Sequence, residues 1–191
     1  MSRLILILLI AFAGCSETPS ESSAIPVKNS ANWFLDESEK REVNVPWISG
    51  DTGEFNMPEI IGGGGAVLDY DKDGDMDLYI VQGGSLGSYT GQGNSLYRND
   101  GSLFTDVTEE SGTGDIGYGM GVSTGDFNND GFVDLYITNV GANVLLKNNG
   151  DGTFDDVTEA AGVGDDGWGA STAFADFDKD GDLDLYITNY K

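Results

Sequence analysis

Three stretches of this chain carry oxygen-bearing side chains at a spacing that suits a hard cation. The first is Asp69-Tyr70-Asp71-Lys72-Asp73-Gly74-Asp75-Met76-Asp77. The second is Asp126-Phe127-Asn128-Asn129-Asp130-Gly131-Phe132-Val133-Asp134. The third is Asp176-Phe177-Asp178-Lys179-Asp180-Gly181-Asp182-Leu183-Asp184. Oxygens at positions 1, 3, 5 and 9 converge from alternate side chains, and Gly at position 6 permits the sharp turn that brings the carbonyl of position 7 to the same point. The candidate ligands are Asp69, Asp71, Asp73 and Asp77 with the Asp75 carbonyl. In the second copy they are Asp126, Asn128, Asp130 and Asp134 with the Phe132 carbonyl, and in the third Asp176, Asp178, Asp180 and Asp184 with the Asp182 carbonyl. The chemistry this predicts is coordination of Ca²⁺.

The copies inform one another. Position 7 is Asp75, Phe132 or Asp182, and a place that accepts Phe contributes its carbonyl, not its side chain. Position 4 is Lys72, Asn129 or Lys179 and is expected to face water. Position 2 is Tyr70, Phe127 or Phe177 and is expected to face a core. An EF-hand would need Glu at position 12 and flanking helices. Here position 12 is Ile80, Ile137 or Ile187, inside Leu-Tyr-Ile, so each loop leads into a β-strand. A plain Asp/Gly turn uses the same residue types; three copies of one ligand pattern favour the ion.

The elements that must position these loops form a repeat. The first Asp of each motif recurs at 69, 126 and 176. Asn94-Ser95-Leu96-Tyr97-Arg98-Asn99 matches Asn143-Val144-Leu145-Leu146-Lys147-Asn148, and Gly117-Tyr118-Gly119 matches Gly167-Trp168-Gly169. Phe104-Thr105-Asp106-Val107-Thr108-Glu109 matches Phe154-Asp155-Asp156-Val157-Thr158-Glu159, with an earlier echo in Phe34-Leu35-Asp36-Glu37-Ser38-Glu39. Each unit reads as a strand into the loop (66–68, 122–124, 172–175) and a strand out of it (78–81, 135–138, 185–188). A third strand (96–98, 144–147) and an edge strand (104–108, 154–158) follow. Strands apolar on both faces, four to a unit of about 50 residues, are those of a stacked propeller blade. The fold class is therefore all-β, a partial β-propeller of about two and a half blades. Repeat 1 spans residues 62–119, repeat 2 spans 120–170, and a truncated repeat 3 spans 171–191. Because three blades cannot close a ring, the sequence is expected to be an N-terminal piece of a longer product.

Residues 31–61 read as an irregular covering segment, and Gly62 to Gly65 as backbone passing close to a neighbour. Repeat 1 is lengthened within Gly83-Gly84-Ser85-Leu86-Gly87-Ser88-Tyr89-Thr90-Gly91-Gln92-Gly93, a surface insertion. Upstream, Arg3 precedes an apolar run over residues 4–12 that is too short to span a bilayer comfortably. Ala13-Gly14-Cys15 then closes a signal peptide of residues 1–14 and resembles a bacterial lipobox, which implies a lipidated Cys15. Residues 15–30, rich in Ser and Glu, read as a flexible tether. These features predict an exported lipoprotein of the outer membrane or cell surface, held to the membrane through its lipid alone.

Composition narrows the chemistry. The chain of 191 residues has no His, which removes the commonest general base. Cys15 is its one cysteine, so calcium is the available staple. The formal charge is −24, and 13 of the 33 acidic residues lie in the three motifs. Such a surface repels nucleic acid.

As a set, these motifs resemble the FG-GAP/VCBS repeat family, the calcium-bearing blades of integrin α-subunit heads. They are most similar to its ASPIC/UnbV, cartilage-acidic-protein-like branch. The residues that carry the likeness are Pro58-Glu59-Ile60-Ile61-Gly62-Gly63-Gly64, the first Asp loop, Asn94 to Asn99, Gly117-Tyr118-Gly119-Met120-Gly121 and Asn148-Asn149-Gly150-Asp151-Gly152-Thr153-Phe154. The resemblance implies a seven-bladed propeller in the whole protein, Ca²⁺ in the blade loops and a C-terminal ASPIC/UnbV domain. The second loop departs from the pattern at Asn128, and its site is expected to be the weakest. The expected function is a non-enzymatic binding or adhesion module for an extracellular protein or glycan. The alternatives are a metal-dependent hydrolase or a propeller holding a redox cofactor among Trp47, Trp168 and the tyrosines. Near-identical clusters in every unit count against a single catalytic centre.

Overall fold

A computed structural model describes residues 35–51, 53–86 and 92–191. All of these except Leu35 belong to one compact unit, Asp36–Lys191. The signal peptide, Cys15, the tether, residues 31–34 and residues 87–91 of the insertion lie outside the described residues.

The described residues are all-β, with three single-turn helices among them, α1 (Met57–Ile60), α2 (Thr108–Ser111) and α3 (Thr158–Ala161). Repeat 1 forms an antiparallel sheet in the order β1 (Gly65–Leu68), β2 (Asp77–Ile80), β3 (Ser95–Asn99) and β4 (Phe104–Asp106). β1 enters the first Asp loop and β2 leaves it, with Leu68 opposite Asp77. In repeat 2, β5 (Tyr118–Gly125) enters the loop and pairs with β6 (Asp134–Asn148), which pairs with β7 (Phe154–Asp156). In repeat 3, β8 (Trp168–Ala175) pairs with β9 (Asp184–Tyr190). This architecture is consistent with part of a propeller.

β6 covers what sequence reading divides into two strands. A straight 15-residue strand would extend roughly 50 Å. Yet the N–H of Asn148, its last residue, donates to Oδ1 of Asp134, its first, at 2.8 Å. The segment therefore doubles back on itself, as β2 and β3 do around Asp77 and Asn99, whose equivalent bond is also 2.8 Å.

The edge strands end earlier than the sequence suggests. Asp106 Oδ1 accepts both the N–H and the hydroxyl of Thr108, at 3.0 and 2.6 Å, and Asp156 does the same for Thr158. This turn lifts the chain out of the sheet into α2 and α3, which stop at left-handed Gly112 and Gly162. Asp36 and Ser38 repeat the turn in the covering segment.

The core lies between repeats 1 and 2. Leu68, Tyr70, Tyr79, Val81, Leu96 and Val107 of the first meet Leu135, Ile137, Leu146 and Phe154 of the second. Tyr79 is fully buried and satisfies its hydroxyl on the Thr113 carbonyl at 2.9 Å. The tight passage expected at the glycine run is there. A methyl group on Gly63 would fall 2.4 Å from the Trp47 ring and 2.5 Å from the Val81 carbonyl oxygen. Strands covered on both faces are found in repeat 2 but not in repeat 3, where Tyr186 is 71% exposed. Likewise Tyr70 is buried against Phe154, whereas Phe177 is 88% exposed. The described residues offer Phe177 no strand equivalent to the one that covers Tyr70.

Candidate metal centres

The three Asp loops share one backbone course. Position 4 is left-handed in each, with φ of 61° at Lys72, 56° at Asn129 and 64° at Lys179. Gly74, Gly131 and Gly181 follow at φ 94°, 90° and 100°, where a side chain would be strained. The turn points amides inwards, and the acidic side chains receive them. The carboxylate of position 1 accepts the N–H of position 6 at 3.2, 2.7 and 3.2 Å in the three copies. Position 3 accepts the N–H of position 5 at 3.3, 3.0 and 3.2 Å. Position 5 accepts that of position 7 at 2.8, 2.9 and 3.0 Å. Position 9 reaches back to the N–H of position 2 at 3.0, 3.1 and 2.9 Å.

In two loops this brings three carboxylates onto one point. Asp69, Asp71 and Asp77 each place an oxygen within 4.8 Å of the others, and so do Asp176, Asp178 and Asp184. Oxygens that share one Ca²⁺ at about 2.3–2.6 Å lie no more than about 5 Å apart, so both sets have the span such an ion requires. In the first loop Asp69 Oδ1 is buried with no hydrogen-bond partner. A buried carboxylate oxygen without a donor is costly, and a cation at this point would satisfy it. The donor set of hard oxygens fits calcium or magnesium better than a soft metal.

The remaining candidates are placed differently. Asp73 and Asp180 are not among the converging oxygens. Asp75 is exposed, Phe132 lies under the Lys72 ammonium at 4.0 Å, and Asp182 accepts the Asn129 amide at 2.9 Å. In the second loop Asp126 and Asp134 occupy the positions of Asp69 and Asp77, but Asn128 supplies an amide where the others have a third carboxylate. Cys15 lies outside the described residues.

Burial shapes the charge of position 9. Asp77 and Asp134 are wholly inaccessible to solvent. Loss of hydration pushes each carboxyl up from 3.8 to about 6, against the two backbone N–H donors that favour its charged form. Nearby Asp71 and Asp73 add to the rise at Asp77. Asp130 moves the other way. The Phe132 N–H lowers it most, with help from Asn128 and the Lys147 ammonium.

Sequence reasoning missed two groups of residues. The first is the asparagine at the end of the third strand. Asn99 and Asn148 each give an N–H to the position-9 carboxylate, and their amides donate to the Met76 carbonyl and to the Tyr70 and Val133 carbonyls respectively. Its signal was the repeated Arg98-Asn99 and Lys147-Asn148 pair. The second group is position 4. Lys72 and Asn129 are exposed, as expected, yet each reaches the next loop, Lys72 at Phe132 and Asn129 at Gly181 and Asp182.

The FG-GAP-like repeat family matches residues 69–137 and again residues 126–187. Each match begins at the first aspartate of a loop and ends in the strand that leaves the next one, so the unit recognised is the loop-to-loop spacing described above. No curated protein matches the chain. The two matches cover more than half of the sequence, and the chain belongs to the FG-GAP-like repeat family.

Proposed function

We propose that this protein is a calcium-stabilised, propeller-type binding module of the cell envelope, anchored through a lipid on Cys15, which presents its surface to an extracellular protein or glycan. The observation that carries the calcium reading is the convergence of Asp69, Asp71 and Asp77 around the partnerless Asp69 Oδ1. Asp176, Asp178 and Asp184 would hold a second ion. Bound there, calcium would supply positive charge to neutralise carboxylates that otherwise repel one another, and so hold each loop to its two strands. The chain's own part is to orient these oxygens through the inward-pointing amides of the turn.

The binding role is supported by membership of a repeat family whose integrin relatives present propeller surfaces to partners. Placement among ASPIC/UnbV-type proteins is the finer form of the same reading. Location outside the cell is supported by the leader and the lipobox-like Ala13-Gly14-Cys15. Among the described residues no helix is long and apolar enough to cross a membrane. The proposed attachment is through the lipid on Cys15. A non-enzymatic role agrees with the lack of any His as base and with the repetition of the acidic loop.

Thermal unfolding of the chain with Ca²⁺ and with a chelator tests the metal reading. A midpoint that rises with calcium supports it, and identical midpoints with no ion bound sink it. Incorporation of labelled palmitate that is lost in Cys15→Ser tests the anchor.

A further inference from the structure

The second Asp loop does not fit a divalent ion as its neighbours do. In the first loop Asp69 Oδ1, Asp71 Oδ2 and Asp73 Oδ2 receive no donor among the described residues. In the third, the same is true of Asp178 Oδ2, Asp180 Oδ2 and Asp184 Oδ1. In the second loop every such oxygen is taken. Asp126 accepts the N–H groups of Asp130 and Gly131, as Asp176 does those of Asp180 and Gly181, so the contrast lies at Asn128 and Asp130. Asn128 Oδ1 accepts the N–H of Asp130, which fixes the amide with its NH₂ on the other side. That NH₂ donates to Asp130 Oδ2 at 2.9 Å, while Asp130 Oδ1 accepts the Phe132 N–H. Asp134 accepts from Phe127 and Asn148, as Asp77 does from Tyr70 and Asn99.

Two ammonium groups also face this loop. Lys147 Nζ stands 3.5 Å from Asp130 Oδ2. Arg98 holds the corresponding place in repeat 1, but it turns to Asp100 at 2.8 Å and leaves Asp73 alone. Lys72 Nζ lies over the Phe132 ring, and a methyl group on Gly131 would fall 2.9 Å from it. At the third loop that place is held by the neutral amide of Asn129. The second loop has thus exchanged one carboxylate for an amide and faces two fixed cations. Each of these changes weakens attraction for a doubly charged ion.

We propose that the second loop is closed by Lys147 and Asn128 in place of a metal, so that the chain takes up two calcium ions, at the first and third loops, and none at the second. This rests on the calcium reading of those two loops.

The test is calcium stoichiometry on the intact chain, by equilibrium dialysis and titration calorimetry. The variants are Asp126→Asn, Asp176→Asn and the double change Asn128→Asp with Lys147→Met. Two ions in the parent, two in Asp126→Asn, one in Asp176→Asn and three in the double variant are the expected counts. A third ion in the parent, or loss of an ion in Asp126→Asn, would overturn the proposal. The double variant adds a ligand where Asp126→Asn removes one, so it reads out the loop even if the latter fails to fold. A count that stays at two there would show that Lys147 and Asn128 are not what excludes the ion. No ion bound by any form would instead overturn the calcium reading itself, and the contrast between loops with it.

Discussion

The side-chain amide of Asn148 donates to the backbone carbonyl of Tyr70 at 2.8 Å, across 78 residues of chain. Asn148 is fully buried, and its N–H holds Asp134 while its Oδ1 accepts the Gly150 N–H. One side chain therefore ties the first Asp loop to the second through hydrogen bonds in a site closed to water.

Replacing Asn148 by Ala should cost about 1–3 kcal/mol, since it removes the side-chain partner of the buried Tyr70 carbonyl and of the part-buried Val133 carbonyl and Gly150 N–H. Asn99→Ala, at a partly exposed equivalent that bonds to Met76 and Arg41, should cost less. Chemical denaturation of the two variants checks the order, and equal losses would contradict the bridging role given to Asn148.

Calcium should raise the melting midpoint of the chain. One site at a hundredfold excess of ion over its dissociation constant contributes about 2.7 kcal/mol. Asp69→Asn should remove that gain at the first loop while leaving the calcium-free midpoint close to the parent's, because the amide keeps the size and one oxygen of the carboxylate. Calorimetry with and without chelator separates the two effects.

Mild acidity should also stabilise the metal-free chain. Asp77 and Asp134 have folded-state values near 6, above the ordinary 3.8. Between about pH 4 and 6 the folded state therefore holds more protons than the unfolded one, and stability rises as pH falls through that window. From these two groups, the chelated protein should melt higher at pH 5 than at pH 7. Asp77→Asn combined with Asp134→Asn should flatten that slope.

Gly63→Ala should destabilise the fold by about 1–3 kcal/mol, because the added methyl would press on the Trp47 ring and on the Val81 carbonyl. Gly62→Ala, with open space around its Cβ, should change stability by less than about 1 kcal/mol. Melting temperatures of the pair make the comparison, and a neutral Gly63→Ala would show that Trp47 is free to move aside.

Much of the fold was legible because the chain writes its unit more than once. Comparing Asp75, Phe132 and Asp182 argues for the position-7 carbonyl over its side chain as the ligand, and in the structure the Phe132 side chain lies against Lys72 and that of Asp182 against Asn129. Strand order followed from the alternation of loops and Leu-Tyr-Ile runs. The failures came where a residue's surroundings differ between repeats although its type does not. Tyr70 and Phe177 hold the same motif position, but only Tyr70 has Phe154 to pack against. Thr108 and Thr158 look like strand residues, yet an aspartate two places earlier captures their N–H and hydroxyl and starts a helical turn. Lys147 and Arg98 are equivalent in sequence. Which acid each one meets depends on the turn that follows, and that no spacing rule reveals.

The uneven burial of the repeats sets an order of opening. β9 exposes most of its length, and Val140 to Trp168 is the only ladder pair that joins β8 to β6 among the described residues. The buried core cluster of repeats 1 and 2 contains no residue of β8 or β9. In native-state hydrogen exchange the amides of β9 should be the first to lose their label, and those of Leu135 to Ile137 among the last. A protease given a short time would trim the chain from repeat 3 and leave the first two repeats as a resistant remnant.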